Sequence, residues 1–228
     1  MGKYETIFFD VDDTLFDFGQ SERNALHNTF MEYKLPEGMA DYHASYRQIS
    51  NKLWADLEKG KIALRDLGIE RFQRLFLEHD LETDARLFSS SYLSHLGKEA
   101  HLMPGAEELC CKLSGYKLAI ITNGFMEVQH ARIENSPLCG KFEHIIVSEA
   151  TGFQKPHRGI FDYAFEKLQL TEKENVLMVG DSLMSDIQGG NNYGIDTCWF
   201  NPLRKRNTTS VTPTYEIHHL LELIDIIK

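Results

Sequence analysis

With 228 residues, 42% of them hydrophobic and spread along its length, the chain is ample for a hydrophobic core and too apolar for global disorder. Acidic residues outnumber basic ones by 34 to 24, a formal net charge of −10. That balance argues against binding a nucleic-acid polymer, which requires clustered cationic charge, but leaves room for a small anionic substrate beside a bound divalent cation.

Residues 6–9 form the first short run rich in β-branched or aromatic side chains; 117–122, 144–148, 175–180 and 197–200 are the others. None alternates cleanly, which is the pattern of strands buried on both faces of a parallel sheet. The first run leads into Asp10-Val11-Asp12-Asp13-Thr14. Three carboxylates at a strand's carboxyl end are costly unless a cation or hydrogen bonds compensate them, although Asp is also a common turn residue. From about residue 18 to 96 the spacing turns helical, as in Ala25-Leu26-Thr29-Phe30, Ile49-Leu53-Trp54-Leu57 and Phe72-Leu75-Phe76. That span is far too long for a simple crossover and reads as an inserted helical domain.

Beyond the insert, Pro104-Gly105 introduces a helix over 106–113. The run 117–122 then ends in Thr122-Asn123-Gly124, and 144–148 is followed by a loop carrying Lys155-Pro156. A helix over 160–168 precedes the run 175–180, which enters Gly180-Asp181-Ser182 with Asp186 five residues after Asp181. The spacing predicts a helix over 183–193, stopped by Gly194. Residues 203–213, with Arg204-Lys205-Arg206, read as a solvated loop, and 215–227 as a closing helix. The alternation predicts an α/β fold: a doubly wound, mostly parallel, Rossmann-like sheet, interrupted by an all-helical domain. The expected boundaries are 1–17 with 97–228 for the core and 18–96 for the insert.

Ligands of such sheets bind at the carboxyl edge. Two strands ending in carboxylates there suggest a site for a divalent cation with oxygen ligands, for which Mg²⁺ is the natural occupant. Thr122, Asn123 and Lys155 add a hydroxyl, an amide and a cation on neighbouring loops. Together the set can hold a phosphoryl group while a carboxylate attacks it. Taken singly each element has a plainer reading: Thr122-Asn123-Gly124 as a turn, Asp181 or Ser182 as a helix cap. Cys110, Cys111, Cys139 and Cys198 form no CxxC pair and read as free thiols in a reducing compartment. With no long apolar run, a cytoplasmic chain without membrane attachment is expected.

Asp10-Val11-Asp12-Asp13-Thr14, Thr122-Asn123, Lys155-Pro156 and Gly180-Asp181-Ser182…Asp186 resemble the four ordered motifs of the haloacid dehalogenase superfamily. The insert resembles that superfamily's helical cap of the first type. Phe9-Asp10-Val11-Asp12-Asp13-Thr14-Leu15, Thr151-Gly152-Phe153-Gln154-Lys155-Pro156 and Asp196-Thr197-Cys198-Trp199-Phe200-Asn201-Pro202 are similar to its pyrimidine 5′-nucleotidase branch. The resemblance implies a Mg²⁺-dependent phosphomonoester hydrolase acting on a small phosphorylated metabolite, most specifically a nucleoside 5′-monophosphate with a pyrimidine or non-standard base. It assigns Asp10 as nucleophile and Asp12 as general acid and base. Thr122, Asn123 and Lys155 become the phosphate-binding groups, and Asp10, the Asp12 carbonyl, Asp181 and Asp186 the metal site.

A phosphatase for phosphoglycolate or a sugar phosphate, or a phosphosugar mutase, would use the same core. A dehalogenase would lack the second carboxylate at Asp12, and a non-catalytic scaffold would be expected to have lost Asp10, Asp12 or Lys155. Tyr42, Tyr46, Trp54, Phe72 and Phe76 of the insert either stack a substrate base or fill the insert's own core.

Overall fold

A computed structural model describes residues 2–35 and 39–228; Met1 and residues 36–38, inside the ranges expected for the core and the insert, lie outside the described residues. The strands are β1 (Thr6–Phe9), β2 (Lys117–Thr122), β3 (His144–Val147), β4 (Val176–Gly180), β5 (Asp196–Phe200) and β6 (Tyr215–Ile217). They form one six-stranded sheet in the order β3-β2-β1-β4-β5-β6, with every neighbouring pair parallel. Phe9 lies opposite Ile120 of β2 and Val179 of β4, so the strands that carry the acidic and hydroxyl motifs end side by side.

Successive side chains of a strand point to opposite faces, and each face of this sheet has its own apolar layer. Ile7, Phe9, Leu118, Ile120, Leu177 and Val179 pack on one side with Ala106, Leu109 and Cys110 of α5 (Ala106–Lys112) and Ile133 of α6 (Met126–Glu134). Phe8, Ala119, Ile121 and Met178 pack on the other with Ile160, Phe161 and Phe165 of the helix Arg158–Lys167 and with Tyr193 of the helix Gln188–Tyr193. Both faces are therefore dry, which explains why the strand sequences show no polar alternation. The predicted α/β, doubly wound parallel sheet is the architecture observed.

Two local readings need correction. The closing helix expected over 215–227 begins as the edge strand β6, with Cys198 opposite Tyr215 and Phe200 opposite Ile217. Only Leu220–Glu222 and Leu223–Ile227 are helical. A three-residue strand is too short to show its period, and the helical spacing of Leu220, Leu223 and Ile227 masked it. The helix expected over 183–193 starts as a π-helical turn, Leu183–Ile187, in which the Ser182 carbonyl accepts from the backbone N–H groups of Asp186 at 3.0 Å and Ile187 at 3.1 Å. Helix α6 was not anticipated.

The chain divides into two compact units, Met1–Phe18 with Ala100–Lys228, and Gly19–Glu99. In the first unit Phe16 and Leu102 form an antiparallel bridge, so the chain leaves and re-enters the sheet unit at one point. The second unit is built from α1 (Phe18–Glu32), α2 (Met39–Glu58), α3 (Leu64–Glu78) and α4 (Ala85–Leu96), of which Phe18 belongs to the sheet unit. Its centre is aromatic: the Phe72 ring lies 5.5 Å from Tyr46, 4.9 Å from Phe88 and 5.3 Å from Tyr92. The buried Arg71 sits over Tyr92 at 4.7 Å and donates to the Tyr46 hydroxyl at 3.0 Å. Tyr42, Tyr46, Phe72 and Phe76 are all buried in this core, while Trp54 is partly exposed beside Leu53, Leu57 and Leu67. Among the described residues no helix is long and apolar enough to cross a membrane.

Phe72→Ala removes the ring on which the others converge. It is expected to cost about 3–5 kcal/mol, read as a lower midpoint for helix loss in a urea melt followed by circular dichroism. An unchanged midpoint would show that the aromatic cluster does not hold this unit together.

Candidate active site

β1 delivers the first acidic group. The Asp10 N–H continues the ladder by donating to Val179 O at 2.9 Å, and the chain then turns because Val11 O accepts from Leu15 and Phe16, each at 2.9 Å. Asp13 occupies the left-handed region at φ 58°, which Asp tolerates better than most residues, and its carboxylate accepts from the Phe18 N–H at 3.2 Å. Its position serves the turn. The Thr14 hydroxyl, fully buried, donates to Asp10 Oδ2 at 3.3 Å and accepts from the Asp181 N–H at 3.1 Å. It thereby ties the β1 motif to the β4 motif.

β4 ends at Gly180, where an added Cβ would collide with the Asp186 carboxyl group, so the absence of a side chain is what lets Asp186 fold back over the strand end. Asp186 is fully buried and accepts from the Ser182 N–H at 3.0 Å. The Asp181 carbonyl accepts from the Trp199 indole of β5 at 2.8 Å. One carboxylate oxygen each from Asp10, Asp181 and Asp186 lie within 4.8 Å of one another, a spacing suited to a shared cation.

Lys155 faces this cluster from a loop that Asn123 holds in place. Asn123 Nδ2 donates to Lys155 O at 2.9 Å, and the Lys155 N–H donates to Asn123 Oδ1 at 2.8 Å. The Lys155 ammonium, 1% exposed, meets Asp10 Oδ1 at 2.5 Å, Asp186 Oδ1 at 2.7 Å and Ile121 O at 2.6 Å. These contacts match its three N–H donors. Burial opposes its charge, but Asp10 and Asp186 outweigh burial and hold the ammonium above its ordinary pKa.

Asp10, Asp181 and Asp186 crowd together beside this cation, and two of them hold their protons more tightly for it. Burial drives Asp10 up to about 7 despite the opposing pull of Lys155, and the charges of Asp186 and Asp12 add to the rise. Asp181 is pushed well above the usual carboxylate range, first by burial and then by Asp186 and Asp10. Such a cluster gains from any divalent cation that binds it.

Asp12 lies outside the cluster. Its Oδ2 accepts from Gln129 Nε2 at 2.8 Å, and its Oδ1 pairs with Arg132. Gln129 Nε2 also donates to the buried Thr122 hydroxyl at 3.1 Å. Of the residues picked from the sequence, Asp10, Asp181, Asp186 and Lys155 thus meet directly, and Asp12 and Thr122 meet through Gln129. The side chain of Asn123 is engaged with the Lys155 backbone.

Thr14, Gln129, Arg132 and Trp199 went unanticipated. Gln129 and Arg132 left a trace: they are spaced three apart and lie beside Val128 and Ile133 on the buried stripe of α6, where polar residues are out of place.

Lys155→Met strands two buried carboxylates and is expected to cost about 3–5 kcal/mol at pH 8 in a urea melt. The deficit should narrow towards pH 6. With Lys155 present the Asp10 carboxyl is raised from 3.8 to about 7; loss of the ammonium, whose charge lowers it, raises it further, so above about pH 7 the variant goes on losing stability as pH rises while the wild type does not. A deficit independent of pH would show that the lysine does not compensate these carboxylates.

A model of the haloacid dehalogenase-like hydrolase family matches residues 4–194. The crystal structure of the HAD-hydrolase YfnB from Bacillus subtilis, described as bound to magnesium and as revealing interdomain movement, superimposes with a TM-score of 0.93 at 40% identity, covering 99% of each chain. The pyrimidine 5′-nucleotidase PynA of Streptococcus pneumoniae is 37% identical, over 97% of this chain and 94% of its own. The pyrimidine 5′-nucleotidase YjjG of Escherichia coli is 33% identical, over 97% and 96%. Four motifs converging in order on one sheet edge, together with a family match that runs from β1 past β4, place the chain in the haloacid dehalogenase-like hydrolase family.

Proposed function

We propose that the chain is a Mg²⁺-dependent phosphomonoesterase that works through an aspartyl-phosphate and prefers nucleoside 5′-monophosphates, pyrimidine ones above all. The observation that carries the reading is the cluster of Asp10, Asp181 and Asp186 around a buried Lys155, with a further carboxylate, Asp12, two residues beyond Asp10. Asp12 is what a dehalogenase would lack. The nucleotide preference rests on the similarity to PynA and YjjG.

In this reading an Asp10 carboxylate oxygen attacks phosphorus, and the bond from phosphorus to the ester oxygen breaks. Asp12 gives its proton to the departing oxygen, so the alcohol leaves neutral. Asp12 then takes a proton from water as that water attacks the phosphorus of the aspartyl-phosphate, releasing inorganic phosphate and restoring Asp10. Thr122 and Lys155 hold the phosphoryl oxygens, and Asn123 serves them by fixing the Lys155 loop. Asp10, Asp181, Asp186 and the Asp12 carbonyl hold the metal. The three side chains fit a hard divalent ion, and when bound Mg²⁺ supplies positive charge to the phosphate and to ionised Asp10.

Residues 18–96 act as the cap domain that selects the leaving group, and 1–17 with 97–228 as the catalytic core, in a cytoplasmic enzyme.

The test is phosphate release across UMP, dUMP, dTMP, AMP, GMP, phosphoglycolate, glycerol phosphate and hexose phosphates, with Asp10→Asn as the blank. The expected outcome is highest kcat/KM on the pyrimidine monophosphates, loss with EDTA and recovery with Mg²⁺. Preference for a sugar phosphate or phosphoglycolate would discard the nucleotide assignment and keep the mechanism. Silence on all substrates from a folded protein would favour the mutase. Millimolar Mg²⁺ should also raise the melting temperature, by about 2.7 kcal/mol of stabilisation at a hundredfold excess over Kd, and Asp181→Asn should remove that shift.

A further inference from the structure

A buried ion pair joins α6 to the candidate acid. Arg132 is fully buried, whereas the Asp12 side chain with which it pairs is 27% exposed, so the pair reaches from the core outward to the site. The guanidinium lies over the Phe16 ring at 4.9 Å and the Phe18 ring at 5.9 Å, which fixes its plane. It also donates to Gln129 Oε1 at 3.1 Å. That bond orients the Gln129 amide, turning Nε2 towards Asp12 Oδ2 at 2.8 Å and Thr122 Oγ1 at 3.1 Å. The amide has room because Gly124 is bare: an added Cβ there would lie 3.1 Å from Gln129 Nε2. Both oxygens of Asp12 are therefore held by side chains one helical turn apart on α6, and one of those side chains also holds Thr122.

Stability alone gives little reason for this arrangement. Burying a guanidinium is costly, and an apolar side chain of similar volume would fill the same space at least as well. We infer that Arg132 and Gln129 are positioning residues: they fix the orientation of the Asp12 carboxyl group and set it in register with the Thr122 hydroxyl, so that proton transfer and phosphoryl binding share one frame. The inference rests on the proposed role of Asp12 as general acid. Neither residue touches the reacting atoms; each acts through Asp12 or Thr122.

The experiment compares kcat/KM, which reports the first phosphoryl transfer, on two esters. p-Nitrophenyl phosphate has a leaving group that needs no proton, and UMP, or the best alkyl phosphate of the substrate panel, has one that does. Arg132→Met should lower kcat/KM on the alkyl ester by about tenfold to a hundredfold, and on the aryl ester by less than about threefold; Gln129→Leu, which also releases Thr122, should lower both, the alkyl ester by about tenfold more than the aryl one. On the alkyl ester, Asp12→Asn/Arg132→Met should be no slower than Asp12→Asn alone, because a positioning residue has nothing left to position. Circular dichroism and a thermal melt check folding, and if Arg132→Met does not fold, Gln129→Leu carries the comparison of the two esters.

Equal losses on the two esters, or a double variant that multiplies the single losses, would overturn the inference while leaving the phosphatase reading intact. Asp12→Asn that loses nothing on either ester would overturn the role of Asp12, and this inference with it.

Discussion

One buried ammonium organises the carboxyl edge of this sheet. Lys155 meets Asp10 at the end of β1, Asp186 from the turn after β4 and the Ile121 carbonyl of β2, so three neighbouring strands converge on one nitrogen. In a low-dielectric interior, a carboxylate pair with no cation between its members would not stay ionised. The features around it follow from that requirement. Gly180 has no side chain because Asp186 occupies the space, and Asn123 spends both ends of its amide on the lysine's own backbone. Thr14 closes the circle by bonding both Asp10 and the Asp181 N–H.

The strand order makes this convergence possible. With β1 between β2 and β4, residues distant in sequence are brought to adjacent strand ends, and the register of Phe9 with Ile120 and Val179 aligns them. Because both faces of the sheet are covered by apolar layers, the strands cannot slip without moving buried side chains on two sides at once. Precision at the polar edge is thus a by-product of tight apolar packing behind it.

The sheet was largely legible because its strands are buried on both faces and write themselves as compact apolar runs. β6 was not, since a three-residue edge strand leaves too short a trace beside the helical spacing of Leu220 and Leu223. The charged groups of the site were legible for a similar reason: Asp10 and Asp181 sit immediately beyond such runs, where unpaired charge is conspicuous, with Asp186 five residues after Asp181 and Lys155 in the loop that follows β3. What escaped were the side chains that brace these groups and Asp12. Thr14 and Trp199 look like ordinary core residues, and Gln129 and Arg132 lie on a helix whose periodicity their own polarity interrupts. The aromatic residues of the helical unit showed that they pack but not against what, and the structure places Tyr42, Tyr46, Phe72 and Phe76 in that unit's interior.

The bridge between Phe16 and Leu102 has an evolutionary corollary. Because the polypeptide departs and returns through paired backbone at one place, the sheet registers only the distance between those two residues, whatever lies in between. Helical inserts of other lengths and sequences satisfy the same boundary condition, so substitution or recombination inside the insert leaves the strand pairing of the core untouched. A lineage built on this plan can rebuild its helical unit while inheriting its sheet edge unchanged.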